Sequence, residues 1–545
     1  MRAIGLRKHS SNDRDDRTRR LLSQLVGERD APLALTHFMQ AVVQLSAASG
    51  TLATSSGFLA FATAANMLTR FVGHLVLRSD SLDDRVNGAL QGLVDDLREV
   101  DSRQGKQITL ASTIDSHPVI RLHIGGIRNL SVPIEGTIFV TFDGWAVALR
   151  RNLCVEPIVP TEIPFGALLA SCFGVSEVFK EILIGAAPSV GLRTKFTQRL
   201  VNAFDYSSWF ADRTSTGVQK PGAEPPEQLP NLEFVDVLQV GAGAVGNATV
   251  LALTSSPAVR GWMPMLDPKL VDIKNLNRCL YFTDSDLEEP KVKVVERRAS
   301  RPTFRIDGQK RLFTVSDGEP EGVVISTVDN NDVRHSMQES LPEWIVQGST
   351  SATNIAVSVH NAVNGRSCLI CRHPDRRNGL NRIVPLSIDE AAARLRIPED
   401  VVRSGASAGS AEISSVFLDG IRKVDPEVAE FFEQKRAAGQ DLCGALGDFR
   451  ARYGIPTGPK EPSIPFASAF AGFQAAAEAV KIALLRAGLK NVPVLENVLE
   501  IDLGVDYARH GRLSFSEPPR TDCPLCQDRR DEVSDLYSRK WILQS

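Results

Sequence analysis

Three glycines in Gly241-Ala242-Gly243-Ala244-Val245-Gly246 keep the spacing G-x-G-x-x-G, and Asp267 stands about 20 residues beyond them. Glycines so spaced allow a tight turn and let a phosphate approach backbone N–H groups at a helix N-terminus, while a carboxylate can accept hydrogen bonds from ribose hydroxyls. Alone they say nucleotide, with NAD or FAD the default occupant. A second chemistry lies in Cys368-x-x-Cys371 and Cys523-x-x-Cys526. Two such pairs make either a dithiol redox centre or a tetrahedral zinc site, in which clips from separate segments supply four soft ligands. No fifth ligand is suggested, so such a zinc would staple the fold. Of the remaining cysteines, Cys172 sits in an apolar helical pattern and Cys443 in a charged, helix-compatible stretch, where it reads as a buried thiol or a reactive one.

The elements that must hold these residues follow from periodicity. Glu233 to Val240 is a short β-rich run that ends at the glycines, and Asn247 to Thr254 continues as a helix. Further apolar runs end at Asp267, span Val323 to Thr327 and begin at Trp344, with helix-compatible stretches between them. This alternation predicts a doubly wound, parallel α/β sheet of Rossmann type. Ahead of it, Asp212 to Leu232 collects proline, glycine and polar residues and reads as a linker. Earlier still, helices are expected around Leu33 to Val76 and strands around Pro118 to Leu149. The uncharged run Ala31 to Thr69 is too often interrupted by polar residues to span a membrane and reads as buried helices.

One internal similarity bears on the whole chain. Ile163 to Lys180 and Ile464 to Lys481 align without a gap, sharing Ile-Pro-Phe, Glu177 with Glu478, and Lys180 with Lys481. Either composition bias produces this, or both halves are copies of one domain and the first has lost its glycine loop. Gly57 to Asp80 would then stand where Gly246 to Asp267 stands in the second copy.

Length and composition agree with two large soluble domains: 545 residues, 43% hydrophobic and 23% charged. Lysine plus arginine (62) nearly balances aspartate plus glutamate (65), which gives no reason to expect a nucleic-acid partner. Met1 to Arg20 is too charged for a secretory signal, and eight cysteines are too few for a disulfide scaffold, so a reducing cytoplasmic setting is expected.

The segment Asp267-Pro-Lys-Leu-Val-Asp-Ile-Lys-Asn275-Leu-Asn277-Arg278, followed by Tyr281-Phe282 and Glu288-Glu-Pro290-Lys291, resembles the signature of the ubiquitin-activating and sulfur-carrier-activating adenylyltransferases of the HesA/MoeB/ThiF superfamily. In that family an aspartate precedes S-N-L-N-R-Q and then a G-x-P-K element. Ser-Thr-Val-Asp329-Asn330 is similar to its T-D-N element, and the two cysteine pairs to its zinc site. The resemblance implies that Gly241, Gly243 and Gly246 cradle ATP and Asp267 holds the ribose. It further implies that Asn275 and Arg278 contact the phosphates, Lys291 neutralises the leaving pyrophosphate, and Asp329 binds magnesium and orients the α-phosphate. Cys279, in place of glutamine, and Lys274, in place of a small residue, depart from the pattern.

In the ubiquitin-activating branch, the region after the first zinc clip carries the cysteine that accepts the activated C-terminus. Here that region is 372–462, and Cys443 is the natural acceptor. The resemblance also implies that an arginine from the partner subunit or the inactive half completes the site, and Arg17 on the first helix is one of several that could, a solvated helix end being the alternative. The expected organisation is an inactive adenylation-like domain (1–211), a linker (212–232), an active domain (233–371 and 463–530) interrupted by the cysteine-bearing insert, and a tail (531–545). The two copies would form an internal pseudo-dimer, open to further dimerisation, that works beside a ubiquitin-like protein and a conjugating enzyme in a bacterial pathway. Alternatives are a sulfur-carrier adenylyltransferase without a thioester, a nicotinamide or flavin oxidoreductase, and a nucleotide-binding scaffold.

Overall fold

Runs of β-branched residues flanked by helices build two sheets in one order. The computed structural model describes residues 11–79, 83–101, 106–111, 120–125, 136–151, 161–188, 198–205, 208–210, 225–318, 322–361, 366–373, 392, 393, 395, 413–437, 445, 449, 463–495, 497–503, 512–516, 518–521, 523, 525 and 526. The first half contains α1 (Ser11–Val26), α2 (Ala31–Gln40), β1 (Val42–Ala47), α3 (Ser49–Leu52), α4 (Ser55–Thr69), β2 (His74–Ser79), α5 (Asp84–Val100) and β3 (Gln107–Ala111). It continues with β4 (Ile120–Ile124), β5 (Thr137–Phe142), β6 (Ala146–Arg150), α6 (Phe165–Ala186), β7 (Gln198–Asn202) and β8 (Ser208–Phe210). The second half begins with β9 (Leu232–Phe234), β10 (Val237–Val240), α7 (Ala244–Ser255), β11 (Val259–Leu266), α8 (Lys291–Ala299), β12 (Phe304–Gln309) and β13 (Val323–Ser326). After α9 (Asn331–Glu339), β14 (Trp344–Ser351), β15 (Asn354–Asn361) and α10 (Leu369–Arg372) comes an interruption that carries α11 (Ser415–Arg422) and α12 (Pro426–Ala437). The sheet is then completed by α13 (Pro465–Arg486), β16 (Val498–Asp502) and β17 (Arg512–Phe515).

The first sheet runs β3-β2-β1-β4-β5-β6-β7-β8 and the second β12-β11-β10-β13-β14-β15-β16-β17, with β9 added on β11. In each, the first five strands of that order are parallel and the last three antiparallel. The crossover helix α4 stands where α7 stands, and α6 where α13 stands. The fold is thus a doubly wound, Rossmann-like arrangement made twice.

The aligned segments form the long core helices α6 and α13, each 22 residues. They meet antiparallel, because Phe173 packs edge-on against Phe470 (5.3 Å) while Phe179, further along, meets the earlier Phe466 (5.5 Å). Both helices carry the shared Glu and Lys one turn apart as a buried ion pair, Glu177 with Lys180 and Glu478 with Lys481. Among the described residues α13 is the helix long and apolar enough to cross a membrane, and it is a buried core helix instead.

Residues 373–461 form a separate compact unit. Its described core gathers Leu418, Ile421, Val428, Phe431, Phe432 and Phe449 between α11 and α12.

Two sequence expectations need correction. The run Leu33 to Val76, and with it Ala31 to Thr69, is not all helix: β1 lies inside it, and β2 closes its end. β1 spells Val42-Val-Gln-Leu-Ser-Ala, a short apolar–polar alternation that does not stand out between the apolar helices on either side of it. Glu233 to Val240 is likewise not one strand, because the chain steps at Val235 and Asp236 from β9, on β11, to β10 at the sheet centre.

Candidate functional site

Strands β11, β10 and β13 lie side by side and parallel, with Val240 paired to Leu266 and to Ser326. Their C-terminal ends therefore release Gly241, Asp267 and Thr327 at one edge. Chain direction across the sheet reverses between β10 and β13, the crevice where doubly wound sheets bind ligands. Gly241 adopts φ +105°, and a Cβ on Gly246 would stand 2.2 Å from the Gly241 oxygen, so the turn admits no side chain at either place. Thr327 Oγ1 donates to the carbonyls of Val240 (3.1 Å) and Gly241 (2.9 Å), tying the third loop to the first. Gly243 caps α7 without a side chain, which leaves the helix N-terminus facing the crevice. Asp267 is buried there, its oxygens accepting the N–H groups of Ala242 and Lys269, both at 2.8 Å.

The loop after β11 is held from several directions. Asp272 and Asn275 form a reciprocal cap around a 3₁₀ turn, Ile273–Asn275. Asn247, fully buried in the first turn of α7, donates to the Ala242 and Gly243 carbonyls (3.0 and 2.9 Å) and accepts the Tyr281 N–H at 3.1 Å. It joins the glycine loop to the segment bearing Asn275, Asn277 and Arg278. Arg278 donates to Lys274 O at 3.0 Å and Asn277 Oδ1 at 3.2 Å.

Chain direction then turns at Glu288, which takes φ +68° where the G-x-P-K element has glycine. The turn lays Glu288 to Lys291 alongside Lys269 to Val271: Glu288 N–H donates to Val271 O (3.0 Å), Val271 N–H to Glu289 O (2.8 Å) and Lys291 N–H to Lys269 O (3.1 Å). Lys291 is thereby fixed at the start of α8, buried to 6% exposure. Lys269 also reaches Asp329, with Nζ 3.7 Å from Oδ1 and both side chains exposed. Beneath Asp329, Arg334 bonds Val328 O (2.7 Å) and Asn331 Oδ1 (2.6 Å), and burial pulls its guanidinium down to about 10 against the opposing pull of Asp329.

The four paired cysteines form one cluster. Cys368 and Cys523 sulfurs are 3.6 Å apart, as are Cys371 and Cys526, and Cys368 and Cys371 are 3.7 Å apart, with all four within 4.8 Å. A tetrahedron of thiolates at a Zn–S bond of ~2.3 Å has edges of about 3.8 Å, so the donors and their spacing fit zinc. Arg520 N–H donates to Cys371 Sγ at 3.3 Å. Behind the first clip, burial pushes His360 down to about 4. As a neutral ring its Nδ1 donates to Ser367 O (2.8 Å) and its Nε2 accepts from Ser358 Oγ (2.9 Å).

The structure thus sets Gly241, Gly243, Gly246, Asp267 and Asp329 on loops that leave one sheet edge, ties the segment of Asn275 and Arg278 to the glycine loop through Asn247 and Lys291 to Lys269 by a backbone bond, and clusters the cysteines elsewhere in the same unit. Cys443 and Cys154 lie outside the described residues. Arg17 belongs to α1, which packs beside the 3₁₀ turn of Asn275, while its side chain lies outside the description. Sequence reasoning missed Asn247 and Thr327. Asn247 had a signal, as a polar residue that starts a helix otherwise rich in buried apolar residues.

The chain belongs to the ThiF family, whose model matches residues 221–525. The uncharacterized protein y4jF of Sinorhizobium fredii is 24% identical over 372 residues, covering 63% of this chain and 64% of that protein. The sulfur carrier protein adenylyltransferase of Thermus thermophilus is 25% identical over 162 residues, covering 27% and 59%. The adenylyltransferase and sulfurtransferase MOCS3 of Arabidopsis thaliana is 24% identical over 153 residues, covering 26% and 32%. The chain thus spans less than two thirds of the length of each of these relatives.

Proposed function

We propose that the second half binds ATP and adenylates the C-terminal carboxylate of a small carrier protein, of the ubiquitin-like or sulfur-carrier kind. The single observation that carries this reading is that adjacent parallel strands release the three loops beginning at Gly241, Asp267 and Thr327 side by side at one crevice. In the reaction a carboxylate oxygen of the carrier attacks the α-phosphorus, an acyl–phosphate bond forms, and the bond to the bridging oxygen breaks to release pyrophosphate. The backbone N–H groups of the glycine loop and α7 receive phosphate oxygens, and Asp267 receives the ribose hydroxyls. Arg278 and Lys291 would supply the cations that stabilise charge growing on the α-phosphate and the leaving group. Asp329 would hold magnesium, which supplies further neutralisation of the triphosphate when bound. Cys368, Cys371, Cys523 and Cys526 would hold a zinc whose part is structural.

The finer reading is that Cys443 then takes the acyl group as a thioester for a conjugating enzyme, its thiolate attacking the mixed anhydride and AMP leaving. Residues 373–461, a separate compact unit whose sequence includes Cys443 and follows directly on the first cysteine clip, support it. The experiment is exchange of labelled pyrophosphate into ATP with a purified carrier bearing a C-terminal glycine, followed by a non-reducing gel. Asp329→Ala should lose exchange, whereas Cys443→Ala should keep exchange and lose the reductant-sensitive adduct. Near-normal exchange in folded Asp329→Ala refutes the first reading, and an adduct that survives Cys443→Ala refutes the second.

A further inference from the structure

The loop that carries Asn275 and Arg278 is gripped by the half of the chain that lacks a glycine loop. Arg70 closes the C-terminal end of α4 and is 1% exposed. Its guanidinium crosses into the second half, where it donates to the carbonyls of Leu276, Leu280 (3.0 Å) and Phe282 (3.5 Å). Asn66, one turn earlier on α4, accepts Arg70 Nε–H at 2.9 Å and donates to the same Leu280 carbonyl at 3.2 Å. These carbonyls lie on both sides of Asn277 and Arg278. Two more elements of the first half flank the same stretch, α1 beside Ile273–Asn275 and α5 beside Asp284–Asp286.

From this geometry we infer that Arg70 is a positioning residue for the reaction proposed above, on which the inference rests, and that Asn66 supports it. The physical argument is one of geometry and replacement. Guanidinium-to-carbonyl bonds are charge-assisted, and a planar fork can hold several acceptors at fixed angles, which an ammonium cannot reproduce. Without it, buried carbonyls in the Leu276 to Phe282 stretch lose their donor, and the segment must shift to satisfy them. Such a shift moves Arg278, whose value lies in being fixed before charge develops. The first half, though without its own nucleotide loop, is on this account a working part of the second half's crevice.

The test uses the full chain. Arg70→Ala should keep wild-type metal content and sheet protection, yet show faster amide hydrogen exchange confined to residues 272–283. In pyrophosphate exchange its kcat should fall by roughly 30-fold or more, with KM for ATP within about threefold, because the nucleotide contacts of the glycine loop and Asp267 remain. Arg70→Lys should recover part of the kcat. If Arg70→Ala does not fold, Asn66→Ala should give the same confined hydrogen-exchange change and a smaller loss of kcat. Hydrogen exchange and kcat equal to wild type in a folded variant overturn the inference, as does a loss that falls on KM alone. A wild-type chain silent in pyrophosphate exchange counts against the adenylation reading, while hydrogen exchange still decides the role of Arg70.

Discussion

Lys481→Met should be among the most damaging single substitutions outside the crevice. Lys481 and Glu478 are both fully buried on α13 and form an ion pair. Lys481 Nζ also donates to Phe204 O in the first half (3.0 Å) and to Pro493 O (2.9 Å), and Glu478 Oε2 accepts the Leu495 N–H at 2.8 Å. Methionine matches the volume of the stem and removes the charge, so a buried carboxylate loses its neighbouring ammonium and two carbonyls lose a donor. Breaking a buried pair from one side costs about 3–5 kcal/mol, a large share of a typical stability of roughly 5–15 kcal/mol. Urea unfolding at neutral pH, followed by circular dichroism, reads the loss directly.

A second signature gives the sign. Burial already pushes Glu478 above its ordinary range, with Lys481 and the Leu495 N–H pulling it back. Removing Lys481 removes that pull, so the folded value rises further above the unfolded one. A raised folded value favours the fold below the unfolded pKa and loses that favour as pH rises through the folded value. The variant should therefore regain stability relative to wild type as pH falls towards 4.5, the ordinary value for glutamate. Glu478→Gln/Lys481→Met, which leaves no orphan charge, should lose less than the single variant at neutral pH. A loss below about 1 kcal/mol for Lys481→Met, or a deficit independent of pH, would refute the reasoning.

Two further outcomes follow from the site. Freshly reduced protein should contain one zinc per chain by metal analysis, and Cys368→Ser should lose the metal and unfold more readily, since binding energy at such a site is largely folding energy; reduced protein without metal would turn the argument to dithiol chemistry. Glu288→Gly should stabilise the chain by a few tenths to about 1 kcal/mol in urea unfolding, because an exposed side chain leaves a left-handed position that favours glycine, and a net destabilisation would count against strain there.

What the sequence made legible was whatever depends on short-range pattern. The strand, glycine turn and helix around Gly241, the acidic position at Asp267 and the two cysteine clips are all set within a few residues, and each sits where its spacing implied. The similarity of Ile163 to Lys180 and Ile464 to Lys481 was also readable, and it marks equivalent core helices. β1 was not, because its alternation of Val43, Gln44, Leu45, Ser46 and Ala47 is short and lies between two apolar helices. Arg70 was beyond reach for a different reason: its partners are main-chain carbonyls more than 200 residues away, and a carbonyl carries no sequence signature. Asn247 lay in plain view, but its reach to Tyr281 N–H depends on how the loop after β11 folds back over α7.

The antiparallel contact of α6 with α13 has a consequence during synthesis on the ribosome. Phe173 and Phe179 emerge with the first half, whereas Phe466 and Phe470, the rings they pack against, are translated almost 300 residues later. At ~5–20 residues per second that interval is roughly 15–60 s. For that time the nascent first half carries an aromatic stripe that its own sheet does not cover. A chain that stalls within the insert, or one cut short before Pro465, would therefore be a ready client for chaperones that bind exposed aromatic surface, and a hazard for premature pairing with the α6 stripe of a neighbouring nascent chain on the same messenger.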